Sequence, residues 1–204
     1  LIGERISQLP AGKYEIQSEL SENLAFEVTL GFCLSLYKFD HFKENKNNLD
    51  IMLCLPKNLD EAKFKAFVRA EFFVRNLVNS PASYLGPKNF EDVIKAFAKK
   101  WGALFKTIIG DDLLNQNFPM IHTVGRAGAQ APRFVELTWG NINDLKVTLV
   151  GKGVCFDSGG LNVKPSSGMN LMKKDMGGAA SVLGLAECII SLKLKVFLKV
   201  LMPI

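Results

Sequence analysis

The sequence predicts an α/β protein, a sheet with helices on both faces. Strand-like runs "ALFKTIIG", "RFVELTW", "LKVTLVG" and "KVFLKVLM" alternate with helix-like segments. The 204 residues are 48% hydrophobic, enough for one well-buried domain, or one domain and a piece of another. No apolar run approaches the ~20 residues of a membrane span. The richest, "LKVFLKVLMPI", is interrupted by lysines and reads as a buried strand, so no membrane partner is expected.

Residues 1–48 give weak signals: a turn at "LPAGKY", then the helix-like run "LAFEVTLGFCLSLYKF". "NNLDIMLCLP" reads as a short strand closed by Pro56. The strongest helix follows in "NLDEAKFKAFVRAEFFVRNLVNSP". Asn58 is its expected N-cap, acids occupy its first turn, Phe64, Phe67, Val68 and Phe72 share a face, and Pro81 ends it. Its length suits a linker between two lobes, which divides the chain into residues 1–56, a linker helix 57–80 and a second domain 81–204.

A second helix is predicted from Pro87 to Trp101, with proline at its start and Gly102 at its end. "ALFKTIIG" is a strand, and "DDLLNQNFPMIHTVGRAGAQAP" holds short helical pieces and a Gly/Ala loop. "RFVELTW" and "LKVTLVG" read as adjacent strands joined by "GNIND". A helix is expected from Met169 to Leu192, and "KVFLKVLM" closes the sheet. Both ends read as cut: Leu1 is not a methionine, and the chain stops at Ile204 directly after a strand. A fragment, a processed chain or a split product is expected.

Composition excludes several classes. Cys33, Cys54, Cys155 and Cys188 lie far apart among apolar neighbours, fit no zinc-type spacing, and read as buried thiols in a reducing, cytoplasmic compartment. His41 and His122 form no His-x-x-x-His pattern and read as ordinary side chains. The net charge of +5 comes from dispersed lysines, apart from "HFKENKNN" (41–48), which reads as a solvated loop. Charge alone favours a nucleic-acid surface, and no nucleic acid is expected as partner. The N-terminal "LIGERISQLPAG" carries charge and proline and lacks an apolar stretch, so no signal peptide is expected.

The chemistry concentrates in "VGKGVCFDSGG" (150–160). A phosphate loop needs Gly-x-x-x-x-Gly-Lys-Ser/Thr, but here the lysine precedes its glycine and Val154 follows; Asp157 would also repel phosphate. A dinucleotide fingerprint fails on its third glycine. What remains is a group of charges beyond a strand: Lys152, Asp157, Lys164, Lys173, Lys174 and Asp175. Lys152 sits at a strand's carboxyl end, where open α/β sheets bind ligands. Asp157 follows in a glycine-rich turn. Asp175 is placed on the first turns of the next helix, whose "MGGAAS" lets it pack tightly against the sheet. Two carboxylates converging on lysines form either a salt-bridge network or an oxygen-rich divalent-metal site in which a lysine is held neutral as a ligand. These residues alone leave both open.

The stretch "VGKGVCFDSGGLNVKPSSGMNLMKKDMGGAASVLG" closely resembles the metal-binding core of the leucyl (cytosol) aminopeptidase family. "RNLVNSPASYLGP" (75–87) resembles the segment that opens that family's catalytic domain, and "VGRAGAQAPRFVELTWG" (124–140) its next block. The resemblance runs from about residue 50 to 204, and the motif from Lys152 to Asp175 is long and specific. It implies a mixed sheet flanked by helices, the front part of the catalytic domain, preceded by the tail of a smaller α/β domain and a linker helix.

The resemblance further implies a cytoplasmic, homo-hexameric metallo-aminopeptidase. It would release N-terminal residues, leucine favoured, from peptides with two divalent ions, Mn²⁺ or Zn²⁺. In that family the residue matching Lys152 is a metal ligand through its amine, and the one matching Asp157 bridges both ions. The residue matching Asp175 binds the same ion as the lysine. The one matching Lys164 is not a ligand but polarises the scissile carbonyl and stabilises the gem-diolate; Met172 matches a wall of the pocket for the first side chain. All five positions thus contact substrate or its metals.

Two departures stand out. Asn170 occupies a position where many members carry aspartate, and the Asn-Thr-Asp-Ala-Glu-Gly-Arg segment that supplies the family's remaining ligands does not occur in these residues. Most of one metal site and only the bridging carboxylate of the other are therefore expected. The alternative is a truncated, non-catalytic chain of the same family, a structural or interaction subunit.

Overall fold

The computed structural model describes residues 6, 8–44 and 50–204. The chain forms two compact units, residues 1–72 and 73–204.

In the first unit, the predicted turn at 9–14 runs directly into strand β1 (Gly12–Tyr14), with Tyr14 Oη donating to the Pro10 carbonyl at 2.8 Å. Helix α1 (Glu22–Ser35) is capped by Ser21, whose Oγ accepts from Leu24 N. Strand β2 (Ile51–Leu53) pairs in parallel with β1, and Ile6, Phe32 and Ile51 form the buried centre. Residues 41–44 are exposed; the rest of the "HFKENKNN" loop lies outside the described residues.

Helix α2 (Glu61–Asn79) starts later than expected. Asp60, not Asn58, caps it: Asp60 Oδ1 accepts from Lys63 N at 3.0 Å, while the Asn58 amide donates to the Leu20 carbonyl at 2.9 Å. The expected apolar face is present, with the Phe26 ring edge-on to Phe64 and Phe67. The division between the two units falls within this helix.

The second unit holds helix α3 (Pro87–Trp101), strand β3 (Leu104–Ile109), the short helices α4 (Asp112–Asn115) and α5 (Pro119–Gly125), and strands β4 (Arg133–Trp139) and β5 (Leu145–Val150). Helix α6 (Ser166–Met169), a 3₁₀ turn (Met172–Lys174), helix α7 (Gly177–Ser191) and strand β6 (Val196–Pro203) follow. The sheet is mixed, in the order β3-β4-β6-β5; β6 runs antiparallel to β4 and parallel to β5. Strands β4 and β5 are therefore not neighbours, contrary to the sequence reading. The turn after Trp139 connects them in sequence only, and β6 is an inner strand rather than the closing one. The reason lies in α7: a helical crossover lets β6 return parallel to β5, and Leu198, Val200 and Met202 are buried along it.

Alternate residues of the strands point into one core. Val135, Leu137, Leu198, Val200 and Met202 are covered by Phe90, Ile94 and Phe97 of α3 and by Ala179, Leu183, Ala186 and Ile190 of α7. Phe118, ahead of α5, stacks on Phe134 from the other face. Within the core the Arg133 guanidinium meets the Glu91 carboxylate and also donates to the Ala131 carbonyl, so a buried charge has its partners.

The helix expected over 169–192 is broken into three pieces. The break lies between the 3₁₀ turn and Gly177, where Lys173 is drawn away to the Asn79 carbonyl at 3.3 Å. The cysteines also differ from expectation. All four are free, but only Cys155 is buried; the other three are half-buried on their helix and strand margins.

Helix α3 begins at Gly86, which has no side chain to cap it. Gln130, from the loop before β4, does so instead: its Oε1 accepts from Lys88 N at 2.7 Å. Gln130→Ala is expected to destabilise the chain by about 1 kcal/mol, read as a lower midpoint of urea unfolding at unchanged slope.

Candidate metal centre

The site begins where β5 ends. The β5–β6 ladder continues past Val150 through Gly151 N to the Leu201 carbonyl at 3.0 Å and Gly153 N to the Pro203 carbonyl at 2.8 Å. Lys152 lies between these two anchors. Its carbonyl accepts from Ala179 N at 2.9 Å, tying the strand end to the first turn of α7. That approach is possible because glycines meet: a Cβ on Gly151 would lie 2.6 Å from the Gly178 carbonyl oxygen, and one on Gly178 would lie 2.9 Å from Lys152 N.

Asp175 stands just ahead of α7, closing the 3₁₀ turn with its N–H on the Met172 carbonyl, not on the helix as the sequence suggested. It is thus at the positive end of the α7 dipole. Lys152 Nζ donates to Asp175 Oδ2 at 2.6 Å, and Lys174 Nζ is 3.7 Å from Oδ1. Asp157 folds back on its own loop, accepting from Gly159 N at 3.0 Å; Gly159 has φ of +90°, where a side chain is strained. Lys164 N bonds the Ser158 carbonyl at 2.8 Å, and Lys164 Nζ reaches Asp157 Oδ1 at 2.6 Å and Met172 Sδ at 3.3 Å. Met172 is buried at 5% exposure.

The sequence-predicted residues thus come together as two lysine–carboxylate pairs, Lys152 with Asp175 and Lys164 with Asp157. Lys173 points away, and Asn170 is an exposed cap of α6. His122 pairs with Asp111 at 3.1 Å, away from these groups, and Cys155 turns its thiol to the Gly153 carbonyl. Sequence reasoning missed the contributions of the Ser158 carbonyl and of Gly159. The doubled glycine in "DSGG" was the available signal for both.

Three lysines, Lys152, Lys164 and Lys174, stand around the two carboxylates. The Asp175 carboxyl is held below the usual carboxylate range, first by the hydrogen bond from Lys152, against partial burial, and further by the charges of Lys152, Lys174 and Lys164. Because Lys164 contributes, the two pairs share one electrostatic environment. The donor set fits a hard divalent cation: two carboxylates already hold cationic partners, and a lysine amine can ligate once it loses its proton. Lys152, Asp157 and Asp175 would fill only part of a coordination sphere. Among the described residues no three His, Cys, Asp or Glu side chains come together as a metal cluster.

Residues 72–204 match the family model described as "Cytosol aminopeptidase family, catalytic domain". The chain belongs to the cytosol aminopeptidase family. It is 34% identical to a probable cytosol aminopeptidase of Aquifex aeolicus, over 87% of this chain and 37% of that protein. The crystal structure of cytosol aminopeptidase from Coxiella burnetii superposes with a TM-score of 0.92 at 39% identity, over 98% of this chain and 44% of that one. The bottromycin maturation enzyme BotP in complex with Mn gives 0.84 at 33% identity, over 99% and 46%. The chain thus spans less than half the length of these relatives. All five candidate residues lie within the cytosol aminopeptidase match.

With chelator present, Lys152→Met should raise the Asp175 carboxyl towards the ordinary range, measured by ¹³C NMR of the labelled carboxyl. A group lowered on folding stabilises above its unfolded value and loses this as pH falls through its folded one. The unchanged chain should therefore lose more stability on acidification than Lys152→Met.

Proposed function

We propose that this chain carries part of the active site of a metal-dependent aminopeptidase that releases N-terminal residues, with leucine-type preference, from peptides. The observation that carries this reading is the pairing of two carboxylates with two lysines, at 2.6 Å each, at a strand end within the matched catalytic domain. Residues 81–204 are taken as part of that catalytic domain, 57–80 as the linker and 1–56 as the end of a smaller domain. Assembly as a homo-hexamer in the cytoplasm belongs to the same reading. Among the described residues no helix is long and apolar enough to cross a membrane.

In this reading Lys152, Asp157 and Asp175 would hold divalent ions, Mn²⁺ or Zn²⁺; the Mn complex of BotP supports the choice of a divalent metal. Such ions supply Lewis acidity and lower the pKa of water. The remaining steps belong to side chains. Lys164 is a cation anchored at the loop by its backbone bond to Ser158, with its ammonium on Asp157, and is suited to stabilise negative charge developing on a scissile carbonyl oxygen. Buried Met172, in contact with that ammonium, offers an apolar wall to the substrate's first side chain.

A second reading is a structural or interaction subunit: among the described residues the metal reading assigns three donors, Lys152, Asp157 and Asp175, fewer than two ions require. Hydrolysis of a fluorogenic leucine amide by this chain, with Mn²⁺ or with chelator, separates the two. Turnover that needs Mn²⁺ would support the aminopeptidase reading; with three donors for two ions little turnover from these residues alone is expected, and silence from a folded chain would support the subunit reading. Where turnover is present, Lys164→Ala should lower kcat on the order of 10²–10³-fold with bound metal retained, checked by kinetics beside elemental analysis. Loss of metal together with activity would make Lys164 a ligand instead.

A further inference from the structure

We propose that Lys164 is an internal counter-cation that competes with a divalent ion for Asp157, so that it sets the site's metal affinity as well as facing the substrate. This rests on the metal reading above. Lys164 Nζ lies 2.6 Å from Asp157 Oδ1, the same oxygen that accepts from Gly159 N, so that oxygen's partners are already in place. An ion taking Oδ1 would have to share it with an ammonium at hydrogen-bonding distance, where like charges repel strongly.

Lys164 cannot simply be carried away by its loop. Its backbone N–H is fixed on the Ser158 carbonyl, so only the side chain can swing. It is 31% exposed and its partner 32%, which leaves it room to do so. The neighbouring groups reinforce the competition. Lys152 and Lys174 add positive charge around Asp175, 2.6 and 3.7 Å from its carboxyl oxygens. Lys152 is one of the three donors of that reading and Lys164 is not, so replacing Lys152 removes a ligand along with a charge. Lys164 can therefore be neutralised without subtracting from the donor set.

The test is Mn²⁺ titration of the chelator-stripped chain, followed by the electron paramagnetic resonance of free Mn²⁺. K164M and K164Q should bind Mn²⁺ about five-fold more tightly than the unchanged chain, since they abolish a partly exposed ion pair. K164R keeps the cation and should bind no more tightly than the unchanged chain. K146M, which removes an equal charge from an exposed position on β5, should stay within about two-fold, because solvent and salt screen it. Equal or weaker binding by both neutral variants, with the unchanged chain binding, overturns the competition and leaves the metal reading standing. Tightening by K146M as large as that of K164M overturns it also, assigning the effect to net charge. No Mn²⁺ bound by any of these proteins at millimolar concentration would remove the metal reading and the competition together.

Discussion

The site depends on one steric constraint, the approach of the β5 end to the first turn of α7. Gly151 and Gly178 touch backbone to backbone, and side chains at either position would collide with main-chain atoms. This contact brings the Lys152 carbonyl onto Ala179 N and, with it, the Lys152 ammonium onto the carboxylate that precedes α7. The same helix buries Ala179, Leu183, Ala186 and Ile190 against β5 and β6. Packing of the core and placement of the charges are thus one arrangement. A shift of α7 that relieved the glycine contact would also separate Lys152 from Asp175.

On that frame the charges follow a simple order. Each carboxylate has a lysine at 2.6 Å, and each pair is tied to a different backbone element: Lys152 to the strand end, Lys164 to the glycine-rich loop. Partly exposed pairs of this kind add at most about 1 kcal/mol each to folding. Their consequence is a local field, visible in the lowered Asp175 carboxyl, that suits exchange of a monovalent for a divalent cation. Stability comes from elsewhere, from the apolar layer of α3 and α7 and the fully partnered Glu91–Arg133 pair.

Legibility in the sequence tracks the range of the interactions. Helix α3 was readable to the residue because proline at its start and glycine at its end are local signals. The strands were readable by composition, but their order was not, because β6 enters between β4 and β5 through pairings with residues more than fifty positions earlier in the chain. The break before α7 was hidden for a related reason: Met172 and Met176 have helical spacing, yet Lys173 is pulled to Asn79, far earlier in the chain. At the site, the residue types were all legible from "GKGVCFD" and "KKDMGG". Their pairing was not, since residues alone left a salt-bridge network and a metal site equally open. The geometry shows that the alternatives overlap, because the ion pairs are built from the same atoms that would ligate a metal.

Cys155 shows how the loop keeps its donor set hard. It sits between Lys152 and Asp157 in sequence, where a thiolate would be a strong soft ligand. The chain instead turns it inward: Gly153 and Cys155 are buried, and Phe156 and Asp157 face outward or half-outward. Burial pushes the Cys155 thiol up to about 12, with only partial opposition from the Arg133 charge. It therefore stays protonated at neutral pH and serves as a small apolar side chain in the core. What the loop presents to solvent is then oxygen and amine alone, so a hard or borderline divalent ion is favoured over a soft one by where the backbone alternation points each side chain.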